Sequence, residues 1–157
     1  YDITVQLTGS VHESRATLKS RIVQAAAAAL KHAGAPADMS AAIVLSDDNH
    51  LRALNREFAG IDAATDVLSF PAGDAAPESP PGEAPHAGDV IISLERAAAQ
   101  AAAGGHSLEA EVELLTVHGV LHLCGHDHAA PADSTRMWRA QAAILNSIGS
   151  DITGPAV

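Results

Sequence analysis

The chain has 157 residues, 47% of them apolar, and a formal net charge of −10. This length and apolar content predict one compact domain with a sizeable core. The single cysteine excludes an intramolecular disulfide, and the apolar runs are far shorter than the roughly 20 residues that cross a bilayer. The acidic net charge argues against an extensive electrostatic interface with nucleic acid, because such binding relies on lysine and arginine side chains that neutralise phosphates.

The first residues show no charged segment followed by an apolar run, so a secretion signal is not expected. A lone cysteine suits a reducing compartment. We therefore expect a cytoplasmic protein with no membrane partner, whose contact with any RNA is local and relies on a few arginines and a metal.

Alternating apolar and polar residues predict a first strand at residues 3–7. A helix follows from Ser14, and residues 41–45 are typical of a second strand. Ser46 or Asp47 can cap a short helix that carries Leu51, Leu54 and Phe58 on its inner face. Residues 66–70 predict a third strand.

Residues 71–88 hold five prolines among Gly, Ala, Asp and Glu, which predicts a flexible surface loop within one domain spanning residues 1–157. A true linker is not expected, because the lone strand after it, at residues 89–93, would have no partner. We expect that strand beside the one at 66–70. Helices are predicted at 94–103, from a cap at Ser107 into a histidine-rich run, and at 132–148. The pattern is α+β or three-layered, with about four strands.

The histidine-rich run, HGVLHLCGHDH, is the part of the chain most informative about chemistry. His118 and His122 are four residues apart on a segment that is apolar nearly all round, so they lie on one side of a buried helix. Buried imidazoles require polar partners, and a divalent metal satisfies both at once. Gly125 can then stop the helix and turn the chain back.

The third ligand comes from beyond the turn, where both His126 and His128 lie. The spacing H-x3-H-x2-G-x2-H, formed with His128, matches the three-histidine zinc site of metzincin proteases and favours His128. His126 then faces solvent or lies next to the ligands without binding the metal itself. Asp127 can orient a ligand imidazole by accepting its second N–H, or it can cap local backbone.

Three neutral histidines leave a fourth tetrahedral position open, which indicates catalytic rather than structural zinc. Water bound there has its pKa lowered to about 7. The alternative is a set of core histidines, or a closed site completed by Cys124 or His126. Nickel and copper also suit three imidazoles. A metalloprotease is disfavoured, because the glutamate that acts as its base is replaced by Gly119.

The run HGVLHLCGHDH resembles the metal motif of the YbeY family, bacterial endoribonucleases of ribosomal RNA maturation with the signature HG-x-LHL-x-G-x-DH. The segment LNREFAGIDAATDVLSFPAG at residues 54–73 resembles a second family motif, and GDVIIS at 88–93 a third. The resemblance implies a small α/β/α domain with a mixed sheet of about four strands. It also implies zinc at His118, His122 and His128, and ribosomal RNA, the small ribosomal subunit and ribosomal or GTPase assembly proteins as partners.

One position departs from the family. Where the second motif carries an arginine, this chain has Ala59. Phosphodiester hydrolysis requires positive charge on the non-bridging oxygens, so Arg56, Arg136 or Arg139 would have to replace it. The candidate functions are a zinc-dependent endoribonuclease of ribosomal RNA, a largely non-catalytic ribosome-assembly factor with fold-stabilising zinc, and a zinc peptidase.

Overall fold

The computed structural model describes residues 1–9, 11, 16–72, 85–126, 130–150 and 152. The strands in these ranges are β1 (Asp2–Leu7), β2 (Ser40–Ser46), β3 (Val67–Pro71) and β4 (His86–Ser93). The helices are α1 (Ala16–His32), α2 (Asp48–Ala59), α3 (Leu94–Gly104), α4 (Leu108–Leu123) and α5 (Pro131–Ser147).

The strands form one mixed sheet in the order β1-β2-β4-β3. β1 pairs with β2, and β2 with β4, in parallel, whereas β3 pairs with β4 antiparallel. The expected pairing of the third and fourth strands is therefore confirmed, with Ser69 opposite Val90. β3 lies at an edge of the sheet, which leaves one side of it open to other elements.

Successive side chains of β2 point to opposite faces of the sheet and divide the core in two. Ile43 and Leu45 join the large cluster formed with α1, α4 and α5, whereas Val44 packs with Leu51 of α2. The sheet thus lies between α2 and the layer that contains α4. The predicted α+β class, the four-stranded mixed sheet and the buried histidine helix are all confirmed.

The connection between β3 and β4 is shorter than the predicted loop at 71–88. β3 includes Pro71 and β4 begins at His86, and the N–H of Ala72 donates to the carbonyl of Ala87 at 3.1 Å. Proline is tolerated here because β3 is an edge strand. Residues 73–84 lie outside the described part of the chain, and their flexibility stays a prediction.

The start of α2 is as predicted, but its last turn is not. Asp47 is the cap and accepts the N–H of His50 at 2.9 Å. Phe58 was expected on the inner face, which is wrong, because its side chain is 65% exposed. Its ring lies 5.2 Å from that of Phe70, edge to face, so it covers the rim of the sheet and meets solvent on its other side.

In the part of the chain that the structure describes, no helix combines the length and the apolar character that crossing a membrane requires.

Candidate metal centre

The two histidines within α4 lie together, as their spacing predicts. The ring centroids of His118 and His122 are 4.7 Å apart, with an interplanar angle of 71°. Zinc binds imidazole nitrogen at about 2.0–2.1 Å, and two tetrahedral ligands are then about 3.3 Å apart. Rings this close can contribute one nitrogen each to a single ion, so this pair fits the metal that the sequence predicts.

Both histidines line a groove of about 360 Å³ beside the edge strand. The groove is also lined by six residues from the end of the α2–β3 connection and from β3 itself: Thr65, Asp66, Val67, Leu68, Ser69 and Pro71. An edge strand presents its outer backbone groups to whatever lies beside it. The histidines therefore border an open groove whose described lining includes the polar residues Thr65, Asp66 and Ser69.

Gly119 has a packing role that the sequence did not reveal. A Cβ built on it would lie 2.5 Å from Cγ1 of Val90, and its carbonyl accepts the hydroxyl of Ser69 at 3.0 Å. α4 therefore contacts the sheet through bare backbone at this position. The glutamate of the protease motif does not fit here, so a glutamate base at position 119 is also disfavoured on steric grounds.

His118 has a second contact, with α5. Its Nδ1 lies 2.6 Å from Oε1 of Gln141, a side chain that is fully buried. An amide oxygen only accepts, so Nδ1 carries the proton and donates it. In the neutral ring the lone pair is then on Nε2, the nitrogen that a metal would use.

The turn after α4 forms as predicted. Gly125 has a φ of +95°, and the N–H of His126 donates to the carbonyl of Leu121 at 3.0 Å, which closes the end of the helix. His128 and Asp127 lie outside the described residues, so the third ligand and its orienting carboxylate stay predictions. Within the described ranges, no three His, Cys, Asp or Glu side chains are arranged to hold a metal.

His126 lines a different hollow, together with Cys124, Gly125, Asp133 and Arg136. Arg136 is exposed and pairs with Asp133 at 3.3 Å. Burial raises the pKa of the Cys124 thiol, which favours its protonated form. His126 and Cys124 thus line a hollow other than the groove of His118 and His122, and whether either binds metal stays a prediction.

The candidate arginines do not line the groove. Arg56 lies in the last turn of α2, on the face of the sheet opposite α4, and Arg139 is exposed on α5. None of the described residues lining the groove is lysine or arginine, and Asp66 adds a carboxylate. Ala59 is exposed at the end of α2.

Gln141, Ser69 and Asp66 were not predicted from the sequence as residues of the site. A signal was present for Gln141, because it falls between Met137 and Ile144 at the spacing of the inner face of α5, where an apolar residue is expected.

The comparisons with known proteins agree with one another. A family model described as endoribonuclease YbeY matches residues 5–149. The protein named endoribonuclease YbeY of Anaeromyxobacter sp. (strain Fw109-5) is 42% identical over 94% of this chain and 73% of its own length. That of Moorella thermoacetica is 42% identical over 88% of this chain and 90% of its own.

A solved structure, that of TM1509 from Thermotoga maritima, shares the fold. It covers 96% of this chain and 94% of its own, with a TM-score of 0.55 and 20% identity. The family model and the curated relatives establish that the chain belongs to the YbeY endoribonuclease family.

Proposed function

We propose that this protein is a zinc-dependent single-strand endoribonuclease that acts in maturation of the small-subunit ribosomal RNA and in ribosome quality control in the cytoplasm. The proposal is carried by one observation, the convergence of His118 and His122 on a groove beside an edge strand. The names of the relatives supply the reaction class. Ribosomal RNA, the small subunit and assembly proteins are the proposed partners.

One zinc ion per chain would be held by His118, His122 and His128. When bound, zinc supplies Lewis-acid chemistry for hydrolysis of a phosphodiester. The chain's own groups position the RNA, and the hydroxyls of Thr65 and Ser69 line the groove as hydrogen-bonding groups. Asp127 would orient a ligand imidazole by accepting its N–H.

Charge in the groove limits the reaction. The described lining residues include Asp66 but no arginine or lysine, so a phosphate entering the groove meets little positive charge from them. Arg56 is the candidate on α2, and Arg136 and Arg139 are those on α5. We expect cleavage to be slow with alanine at position 59, because charge on the non-bridging oxygens in the transition state is weakly stabilised.

Cleavage of a single-stranded ribosomal RNA fragment by the zinc-loaded protein tests the proposal. Wild type should cut slowly, His118→Ala should not cut, and Ala59→Arg should cut at least about tenfold faster. The family motif that this chain resembles carries an arginine at position 59, and one donor to the charged oxygens contributes about 10²–10³-fold. The His118→Ala sample excludes a contaminating ribonuclease. Zinc binding without cleavage by either wild type or Ala59→Arg would overturn the proposal.

The low positive charge also favours a second candidate, an assembly factor whose zinc mainly stabilises the fold. In that case His122→Ala unfolds the domain, a chelator lowers the melting temperature strongly, and binding to small ribosomal subunits persists without hydrolysis. An endoribonuclease instead stays folded after His122→Ala and loses activity. A peptidase is disfavoured because Gly119 occupies the position of the protease's glutamate base. Casein hydrolysis that a chelator inhibits would support a peptidase.

A further inference from the structure

The environment of Gln141 is unusual for an amide side chain. Gln141 is fully buried on the inner face of α5, beside Met137, Ile144 and Leu145, which are buried as well. A polar group in such a place destabilises the fold unless it is hydrogen-bonded. Its Oε1 is bonded to Nδ1 of His118, and its Nε2 has no hydrogen-bond partner among the described residues.

An amide side chain with only its oxygen hydrogen-bonded stabilises a core less well than an apolar side chain of similar length. The apolar side chain fills the same space without leaving a buried donor unpaired. Groups that violate the packing rules of a core are most often found where they serve a site. The side-chain hydrogen bond that Gln141 makes within the described part of the chain joins α5 to a histidine 23 residues earlier in the sequence.

We propose that Gln141 is a positioning residue, which holds His118 as the Nδ1–H tautomer so that Nε2 is the nitrogen available to a metal. The inference rests on the proposed function for its metal. Ligand histidines commonly donate their second N–H to an outer acceptor, and losing that acceptor typically weakens metal binding 10–100-fold. Here the acceptor is a neutral amide on a separate helix.

The orientation of the amide and the tautomer of the ring are coupled. If Nε2 of Gln141 faced His118, it would donate to Nδ1, and the ring proton would move to the nitrogen that a metal requires. Gln141 is completely enclosed, so neither its amide nor the His118 ring exchanges this contact for bulk water easily. Metal binding and the Oε1-inward orientation therefore favour each other.

Two substitutions of similar length separate the hydrogen bond from the packing. Gln141→Met fills the space without a strong acceptor, whereas Gln141→Glu keeps an acceptor oxygen. Ile144→Ala, also buried on α5, is the control for loosened packing. Each variant is first checked for a cooperative thermal transition.

Long-range ¹H–¹⁵N correlation spectra of the metal-free protein near pH 8, where an ordinary imidazole is neutral, report the tautomer of His118. We expect Nδ1–H in wild type, in Gln141→Glu and in Ile144→Ala, and a substantial Nε2–H population in Gln141→Met. Zinc affinity at the same pH, measured by chelator competition, should fall 10–100-fold in Gln141→Met and stay at or above the wild-type value in Gln141→Glu.

An unchanged tautomer and unchanged zinc affinity in Gln141→Met would overturn the inference while leaving the proposed function intact. Equal losses in Gln141→Met and Gln141→Glu would also overturn it, since only packing would then matter. If wild type binds no zinc, the proposed function fails, and the tautomer of the metal-free variants still decides whether Gln141 sets the proton position.

Discussion

Two polar regions of the molecule differ in what their side chains are used for. One, here called the carboxyl-end network, consists of Ser46, Asp47, Asp48, His50 and Ser93 at the carboxyl ends of β2 and β4. The other is the groove of His118 and His122 beside β3. Ligands of open α/β sheets usually bind at carboxyl ends of strands, so the first region is where a general rule would place the site.

The carboxyl-end network is satisfied by its own members. Asp47 caps α2, the hydroxyl of Ser46 lies 2.7 Å from Nδ1 of His50, and Ser93 caps α3 while it donates to Asp48 at 2.6 Å. Both helix starts that would attract an anion are thus occupied by the protein. A histidine among carboxylates is therefore a structural feature in this region.

The groove uses its histidines differently. His118 has one ring nitrogen bonded to Gln141, and its ring lies against that of His122 above an open edge strand. The two regions thus differ in what surrounds their histidines, which are hydrogen-bonding neighbours in the network and an open groove beside β3. Residue type alone does not reveal this difference.

The largest effect is expected at Gly119, which brings α4 close to the sheet. Gly119→Glu installs the protease motif but drives a side chain into Val90 and Ser69. We expect a loss of roughly 3 kcal/mol or more in the free energy of unfolding, from overpacking and a buried charge.

Urea denaturation measures the effect of Gly119→Glu. Ala99→Glu, at an exposed position of α3, is the control and should change stability by less than about 0.5 kcal/mol. A stable Gly119→Glu protein would contradict the close contact between helix and sheet.

Substituting one histidine in each region tests most directly whether the two regions differ in function. His122→Ala should weaken zinc binding by more than the roughly 100-fold upper range for a lost outer contact, with the fold retained. His50→Ala should leave zinc binding unchanged and reduce stability by about 1 kcal/mol, because it removes the hydrogen bond to Ser46. Zinc titration and thermal melts of both variants measure this. Equal zinc affinities in the two variants would erase the distinction between the regions.

Ser93→Ala tests the carboxyl-end network alone. It removes the cap of α3 and the bond to Asp48, and caps contribute about 1 kcal/mol. We expect that loss in urea denaturation, with RNA cleavage and zinc affinity at wild-type values. A change in cleavage would mean that the carboxyl-end network is energetically coupled to the groove.

The smallest effect is expected outside both regions, at the exposed pair of Arg52 and Asp62. The hydrogen bond from Arg52 lowers the pKa of Asp62. Because the folded-state pKa lies below the ordinary value of about 3.9, the pair stabilises the fold above that pH, and the contribution is lost as pH falls through the lowered pKa.

The melting temperature measured from pH 7 to pH 2.5 checks this. Arg52→Ala should lower it slightly at neutral pH, and the gap to wild type should close in acid. Arg139→Ala, an exposed arginine on α5, serves as the reference substitution. A gap that persists at pH 2.5 would point to packing of the Arg52 side chain rather than charge.

Local sequence pattern was enough to predict most elements and the proximity of His118 to His122. The caps at Asp47 and Ser107, the burial of α4 and the turn at Gly125 all depend on neighbours within about four residues. Contacts between distant segments were not predictable in this way. The Ser69 bond to Gly119 joins residues 50 apart, and that of His118 to Gln141 depends on how α5 packs on α4.

Phe58 shows that a local sequence pattern can also predict burial where the fold provides none. Its helical spacing from Leu51 predicted burial, but the width of the sheet decides whether a neighbour is there. α2 reaches the rim of the short edge strand, so the ring has a partner on one side only.

The paired ends of β3 and β4 make residues 73–84 a natural insertion point. Pro71 is in register with Gly88, and the Ala72 to Ala87 hydrogen bond follows it. Doubling the length of a connection closed in this way costs only about 0.6 kcal/mol in closure entropy. An affinity tag or a fluorescent reporter spliced between Ala72 and Pro85 is therefore expected to leave the paired strands in register.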